Sequence, residues 1–460
     1  MMLMSNTITY QYAQPSSLHG REAHQELFLS QYSEVQKKEA SCFFWGRLTD
    51  PFITARCLLT LSQVVQSSFN LSPFQRSLLK DPVVTAGNGK LRFEGFSHCA
   101  GVYARVDVLP NGHDGEFPEN GTTNVDFNQA MLSALSGVSR REDVMLSVGK
   151  QEVALHKNDQ KVVERKVPLP TKWIKGLTTV QLYLADTEPV ATLSRTQALQ
   201  LIRSIPRQKS RAPHHLVQRG GRVMFSPVAG IDLFASTQDI SIGGLHRLRL
   251  LDPLLPLADE LRIFAHARGQ STTWQLYFGA VRLSLTLSKD SWRGFSGEGA
   301  ALDALVADVP DRWIQHFDQY SYCNQEFNPT LLAVQEDLSP QRVRHLSAHL
   351  SAMGLLGYDL DENHFFYRRL PFKLDRIRSL NPRLKSAEKL LSEEQVAILS
   401  QGGHRTEAQV VGSNVTHTVV LSAKQERCTC TWFSQHQGER GPCKHILATK
   451  KQLNELTKIS

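Results

Sequence analysis

Cys428-Thr429-Cys430-Thr431-Trp432, then Cys443-Lys444-His445-Ile446-Leu447-Ala448, is the stretch that says most about this 460-residue chain. Twelve residues separate Cys430 from Cys443, and the stretch holds three of the seven cysteines. Each half-site, Cys-x-Cys and Cys-x-His, skips a single residue. Three thiolates and one imidazole are a ligand set that a tetrahedral zinc ion accepts. In an extended strand the side chains of i and i+2 share a face, so Cys-x-Cys on a strand offers both sulfurs to one ion. A Cys-x-His at a helix start supplies the other pair. Four protein ligands leave no open position for water or substrate, so such a site is structural and its binding energy is folding energy.

The flanking residues fit that geometry. Val410, Val411, Val415, Val419 and Leu421 surround Gly412-Ser413-Asn414 and predict two strands about a turn. Ile446, Leu447, Leu453 and Leu456 recur at helical spacing behind Pro442. The unit is strand, turn, strand, ligand loop, helix. The strings V-x-G-S, C-T-C-x-W and G-P-C-K-H-I-L-A over roughly 405–455 resemble a SWIM-type zinc finger, a ββα unit with C-x-C…C-x-H ligands. That resemblance implies one structural zinc held by Cys428, Cys430, Cys443 and His445. His417 and His436 lie nearby, but the spacing does not require them.

The formal net charge is +8, modest for this length, and its distribution says more. Between Arg195 and Arg222 stand Arg195, Arg203, Arg207, Lys209, Arg211, Arg219 and Arg222, with no Asp or Glu. A cationic stretch of this kind attracts phosphate, or is a solvated face. Met1–Asn6 carries no basic leader and no apolar run approaches ~18 residues, so neither a signal peptide nor a membrane span is expected. The scattered remaining cysteines and the zinc-type cluster point to a reducing, cytoplasmic compartment.

The pattern predicts a multidomain α+β chain. Residues 1–190 read as an N-terminal α+β domain, with helical spacing over Glu22–Tyr32 and Ile53–Phe69 and clean alternation at Val102, Ala104, Val106 and Val108. Residues 191–320 read as a second α+β domain carrying the basic linker 195–222. Leu169-Pro170-Thr171-Lys172-Trp173 and Leu287-Ser288-Lys289-Asp290-Ser291-Trp292 each place Trp just after a candidate strand. The pair reads either as a diverged internal duplication or as two corners where Trp plugs a core. In residues 321–375, Ser339-Pro340 starts a helix that places Val343, Leu346, Leu350 and Met353 on one face. A short hairpin turning at Asp361-Glu362-Asn363 follows. This helix and hairpin resemble a winged-helix module, which implies that Arg342, Arg344, His345, Arg368 and Arg369 are candidate DNA contacts. Residues 376–460 are the zinc finger with a leading helix.

No enzyme signature is complete. Gly87-Asn88-Gly89-Lys90 lacks the first glycine and the hydroxyl of a phosphate loop, and Gly294-Phe295-Ser296-Gly297 is not G-x-S-x-G. The expectation is therefore a non-enzymatic, nucleic-acid-associated binding or adaptor protein with DNA as partner and no small-molecule substrate. Candidate contacts are Arg203, Arg207, Lys209, Arg211, Arg219, Arg222, Arg342, Arg344, His345, Arg368, Arg369 and Lys444. The alternative is a protein–protein scaffold. The layout is similar to that of bacterial SWIM-finger proteins, some of which accompany MoxR-type AAA+ ATPases and von Willebrand A-domain proteins.

Overall fold

The computed structural model describes residues 10–12, 17–19, 26–28, 33–35, 42–67, 82–158, 160–208, 214–219, 222–228, 240–289, 294–296, 299–307, 309, 311–370, 380–402, 405–412, 415–422 and 425–459. Its helices are α1 (Pro51–Gln66), α2 (Gln129–Ser136), α3 (Thr171–Leu184), α4 (Arg195–Arg203), α5 (Ala300–Val306), α6 (Asp311–Asn324), α7 (Pro329–Gln335), α8 (Pro340–Ala352), α9 (Pro382–Ser392), α10 (Thr431–His436) and α11 (Lys444–Ile459). The fold is α+β. No helix among the described residues is long and apolar enough to cross a membrane. The helix expected over 22–32 is overturned at Glu26–Phe28, a short strand whose residues pair with Ser17–His19.

The body is built on an antiparallel eight-stranded sheet. Its strands run in the order Gly121–Asn124, Val83–Gly87, Lys90–Phe96, Val102–Val108, Val281–Ser288, Ser271–Tyr277, Glu260–His266, Thr187–Ser194. Two three-stranded meanders, 83–108 and 260–288, meet at the central pair, where Val106 faces Leu283. The expected divide at 190/191 falls inside the edge strand Thr187–Ser194, and strands from both sides of it share this one sheet and one core. Trp173 lies in α3 edge-on to Phe96, with ring centroids 6.0 Å apart, whereas Trp292 lies outside the described residues.

Side chains alternate across a strand, and here the two faces differ in chemistry. One face carries Leu91, Phe93, Val102, Ala104, Val106, Leu283, Leu285 and Trp274, all buried against α1 and its neighbours. Asp50 caps α1 by accepting from the Ile53 amide at 3.0 Å, as Asp50-Pro51 in the sequence leads one to expect. The opposite face carries Lys90, Arg92, Glu94, Arg105, Asp107 and Arg282, and it is buried as well. What covers it is α3 together with the module of residues 311–370, in which α6, α7 and α8 pack on a three-stranded sheet ordered Glu326–Phe327, His364–Tyr367, Leu356–Asp359.

The two charged surfaces are complementary. Arg282 donates to Asp359 at 2.6 Å and to Asp361 at 3.1 Å, and lies 3.3 Å from Asp107. Arg105 holds Asp107 at 2.9 Å and donates to the Tyr358 carbonyl at 2.6 Å. Lys90 reaches Glu326 at 3.2 Å and also pairs with Glu362, Arg92 pairs with Glu326, and Arg368 pairs with Glu94. Burial alone would raise the Asp359 carboxyl, but the guanidiniums of Arg105, Arg282 and Arg92 hold it well below the ordinary range. Burial likewise opposes Arg92 and Lys90 at Glu326, and the cations win.

A carboxylate depressed in the folded state contributes stability that is complete above its unfolded value, about 4, and that is lost as pH falls toward its folded value. Unfolding at pH 6 and pH 3 should therefore show a marked drop in the denaturant midpoint at the acid value. An Asp359→Asn variant should show a smaller drop. An equal drop in both would mean that Asp359 does not carry the effect.

Candidate metal centre

The C-terminal unit is a four-stranded antiparallel sheet, Val396–Gly402, Arg405–Val411, Thr416–Ser422 and Glu426–Cys428, closed by α9, α10 and α11. Cys428 ends the last strand opposite Val419. Cys430 is the N-cap of α10, its sulfur accepting from the Phe433 amide at 3.4 Å. Cys443 precedes α11 and accepts from the Ile446 amide at 3.5 Å, while His445 stands in the first turn of α11. A strand end and two helix starts thus aim four side chains at one point. Only Cys428 of the first pair lies on the strand, because Cys430 already belongs to the following helix.

All four side chains are buried, and their ligand atoms lie within 4.8 Å of one another. His445 Nδ1 is 3.7 Å from Cys428 Sγ and 4.0 Å from Cys443 Sγ. Ligands about 2.0–2.3 Å from a tetrahedral zinc stand roughly 3.3–3.8 Å apart, so the two His445 pairs fit the ion with a contraction of a few tenths of an ångström and the set as a whole with one of at most about 1 Å. The Cys443 thiol is pulled down to about 4, chiefly by its hydrogen bond with Cys428 and against burial, and it is the thiolate most readily formed. The Cys428 thiol is raised by the same contact and by burial. Packing three sulfurs together holds protons on some of them, which zinc displaces. The His417 ring lies tilted against that of His445, with centroids 4.4 Å apart, but is outside the ligand set.

Residues 417–454 match the family model for the SWIM zinc finger. The C-terminal unit is a SWIM zinc finger. No curated protein matches the chain in sequence. Among solved structures, the chain is similar to the crystal structure of Proliferating Cellular Nuclear Antigen from Entamoeba histolytica. The likeness has 11% identity and a TM-score of 0.37, over 54% of this chain and 98% of that one. A PCNA2–PCNA3 complex from Sulfolobus tokodaii is similar at 10% identity and a TM-score of 0.39, over 54% and 99%.

The finger is welded to the rest of the molecule. Its core includes Leu302 and Val306 of α5 and Leu384, Ala387 and Leu390 of α9. Arg383 donates to the carbonyls of Arg440 and Pro442 at 2.8 and 2.9 Å while its guanidinium lies 4.6 Å from the Trp432 ring centre. It thus pins the loop that joins the two ligand pairs. Nothing in the sequence marks Arg383 for this task. Gly441, at φ +70°, meets Gly299 backbone to backbone, and a Cβ there would sit 2.5 Å from the Gly299 Cα. Gly441→Ala therefore both strains the backbone and wedges the finger from α5, and should cost about 1–3 kcal/mol. Chemical unfolding would measure the loss, and zinc content should stay near one per chain.

The cationic candidates scatter. Arg368 is 1% exposed and bound to Glu94, with a second bond to the Leu177 carbonyl at 3.0 Å, so it faces the body and cannot contact DNA. The hairpin turn at 361–363 is likewise drawn inward by Arg282 and Lys90. Arg342, Arg344, His345 and Arg369 are exposed, and Lys444 is half-buried. Lys450 and Lys451 of α11 are engaged by Asp303 and Glu388, each at 2.7 Å. Arg203, Arg207 and Arg222 are exposed, on or near α4, on the side of the eight-stranded sheet opposite α8. Lys209 and Arg211 lie outside the described residues, and Arg219 is described only as the strand partner of Arg222. A second acidic group, Glu326, Glu362 and His364, brings ligand atoms together, but Lys90 and Arg92 already neutralise its carboxylates.

Proposed function

We propose that this chain is a non-catalytic, nucleic-acid-associated adaptor whose zinc finger is a structural clasp. The observation that carries the reading is the exposed N-terminal half of α8, where Arg342, Arg344 and His345 all face solvent. The order helix, strand, helix, helix, hairpin over 311–367 supports a winged-helix reading of this module, with its wing turned onto the body. The closed ligand set supports a structural rather than a catalytic metal, and seven unpaired thiols fit a reducing cytoplasm.

The test is duplex DNA binding across a salt series. Each phosphate contact contributes a slope of about −0.9 to log K against log salt. Arg342→Ala/Arg344→Ala should therefore reduce the slope by about 1.8. A flat salt response in the unaltered protein would reject the reading. The pairing of the wing turn with Arg282 and Lys90 of the body favours a second reading, a protein scaffold whose partners are of the AAA+ ATPase and von Willebrand A-domain kind. Recovery of a stoichiometric ATPase without nucleic acid would favour it.

A further inference from the structure

The exposed start of α8 does not stand alone, because α6 packs beside it. Trp313, in the first turn of α6, meets Arg342, in the first turn of α8. The Arg342 guanidinium lies over the indole, 5.6 Å from the ring centre. One turn further along α6, His316 stands perpendicular to the same indole, with ring centroids 6.4 Å apart. Trp313 is half-buried and packs on the buried core that the module shares with α3. Its ring is therefore fixed, whereas the Arg342 side chain is exposed. The Arg342 backbone is fixed as well, its amide donating to the Ser339 cap at 3.3 Å.

An unrestrained arginine loses much rotamer freedom when it grips a phosphate. An aromatic face attracts a guanidinium and takes up part of that loss in advance, while the N–H donors stay open to phosphate oxygens. Carboxylates do not compete for them here. α8 contains no Asp or Glu, and among the described residues no ion pair involves Arg342 or Arg344. Asp318 of α6 is hydrogen-bonded by Tyr367. Glu336 acts on Tyr320, about 10 Å along the α6 axis from Trp313. Arg344 has no aromatic seat of this kind among the described residues.

We propose that Trp313 is a positioning residue for the nucleic-acid contact of α8. It holds the Arg342 guanidinium ready for a phosphate of the duplex backbone and does not itself touch the ligand. A single strand would need an open aromatic face on which to stack a base. This indole already has Arg342 over it and His316 against it. The proposal rests on the reading of the exposed half of α8 as the nucleic-acid contact, and it carries the working parts of that contact onto α6.

The experiment is a double-mutant cycle, read as binding of a short fluorescent DNA duplex across a salt series. Trp313→Leu should weaken binding about fivefold at low salt and leave the salt slope unchanged, because the phosphate contacts keep their number. Arg342→Ala should lower the slope by about 0.9. Trp313→Leu should have no further effect in the Arg342→Ala protein and its full effect in Arg344→Ala. Trp313→Phe keeps an aromatic face and should stay within about twofold of the unaltered protein. An equal loss from Trp313→Leu with and without Arg342 assigns the ring to the fold alone and overturns the proposal. Unchanged affinity in Trp313→Leu, beside a reduced slope in Arg342→Ala, overturns it too and leaves the α8 reading standing. Tighter binding of a single strand of the same length, lost in Trp313→Leu, makes the ring a base platform and also overturns it. No binding by the unaltered protein at low salt removes both readings.

Discussion

Cys428→Ser should empty the metal centre and unfold the C-terminal unit. Zinc measured on the freshly purified protein should be about one per chain, and close to none in the variant. Structural zinc contributes apparent binding energies of about 10–16 kcal/mol to small finger domains, far more than a small four-stranded sheet has in reserve. The loss should reach beyond the finger. Leu302 and Val306 pack on its core, and Lys450 and Asn454 hold Asp303 and the Val306 carbonyl. Hydrogen exchange should therefore rise in α5 and α9 as well as over 396–459, while the eight-stranded sheet stays protected. Native exchange in α5 would show that the finger folds apart from the body. A Cys428→Ser protein that keeps its zinc would reject the ligand assignment.

Arg368→Met should be the most damaging single change outside the finger. Its guanidinium pairs with Glu94, which is fully buried, and Tyr103 donates to the same carboxylate at 2.5 Å. Removing one partner leaves a charge in a dry interior, a loss of about 3–5 kcal/mol, whereas replacing both partners with groups of similar shape is often near neutral. Glu94→Gln/Arg368→Met should therefore recover much of the stability that Arg368→Met loses. Chemical unfolding of the two variants decides the point. An additive double variant would mean that the two side chains contribute independently.

The sequence carried the ligand set of the finger, because metal ligands must be particular residues at particular spacings, but not the departure of Cys430 from the strand to the N-cap of α10. Cys428, Cys430, Cys443 and His445 could be read without any tertiary information. Helix starts at Asp50-Pro51 and Ser339-Pro340 were equally legible, since a cap is a local device. Arg368 was misread. On the sequence it is a basic residue at a hairpin end, and only the sheet 274 positions away supplies the Glu94 that buries it. The divide at 190/191 failed to anticipate the shared sheet for a related reason. Alternation identified the strand Val102–Val108, but its pairing with Val281–Ser288 depends on neighbours distant in the chain.

The charged face of the eight-stranded sheet also sets a timetable for synthesis. Lys90 and Arg92 leave the ribosome early, yet their counter-charges at Glu326 and Glu362 lie 236 and 272 residues downstream of Lys90. Until those residues emerge, the nascent sheet presents a hydrated, cationic surface rather than a greasy one. That surface resists premature association with other chains. The body can thus wait in water for its cover.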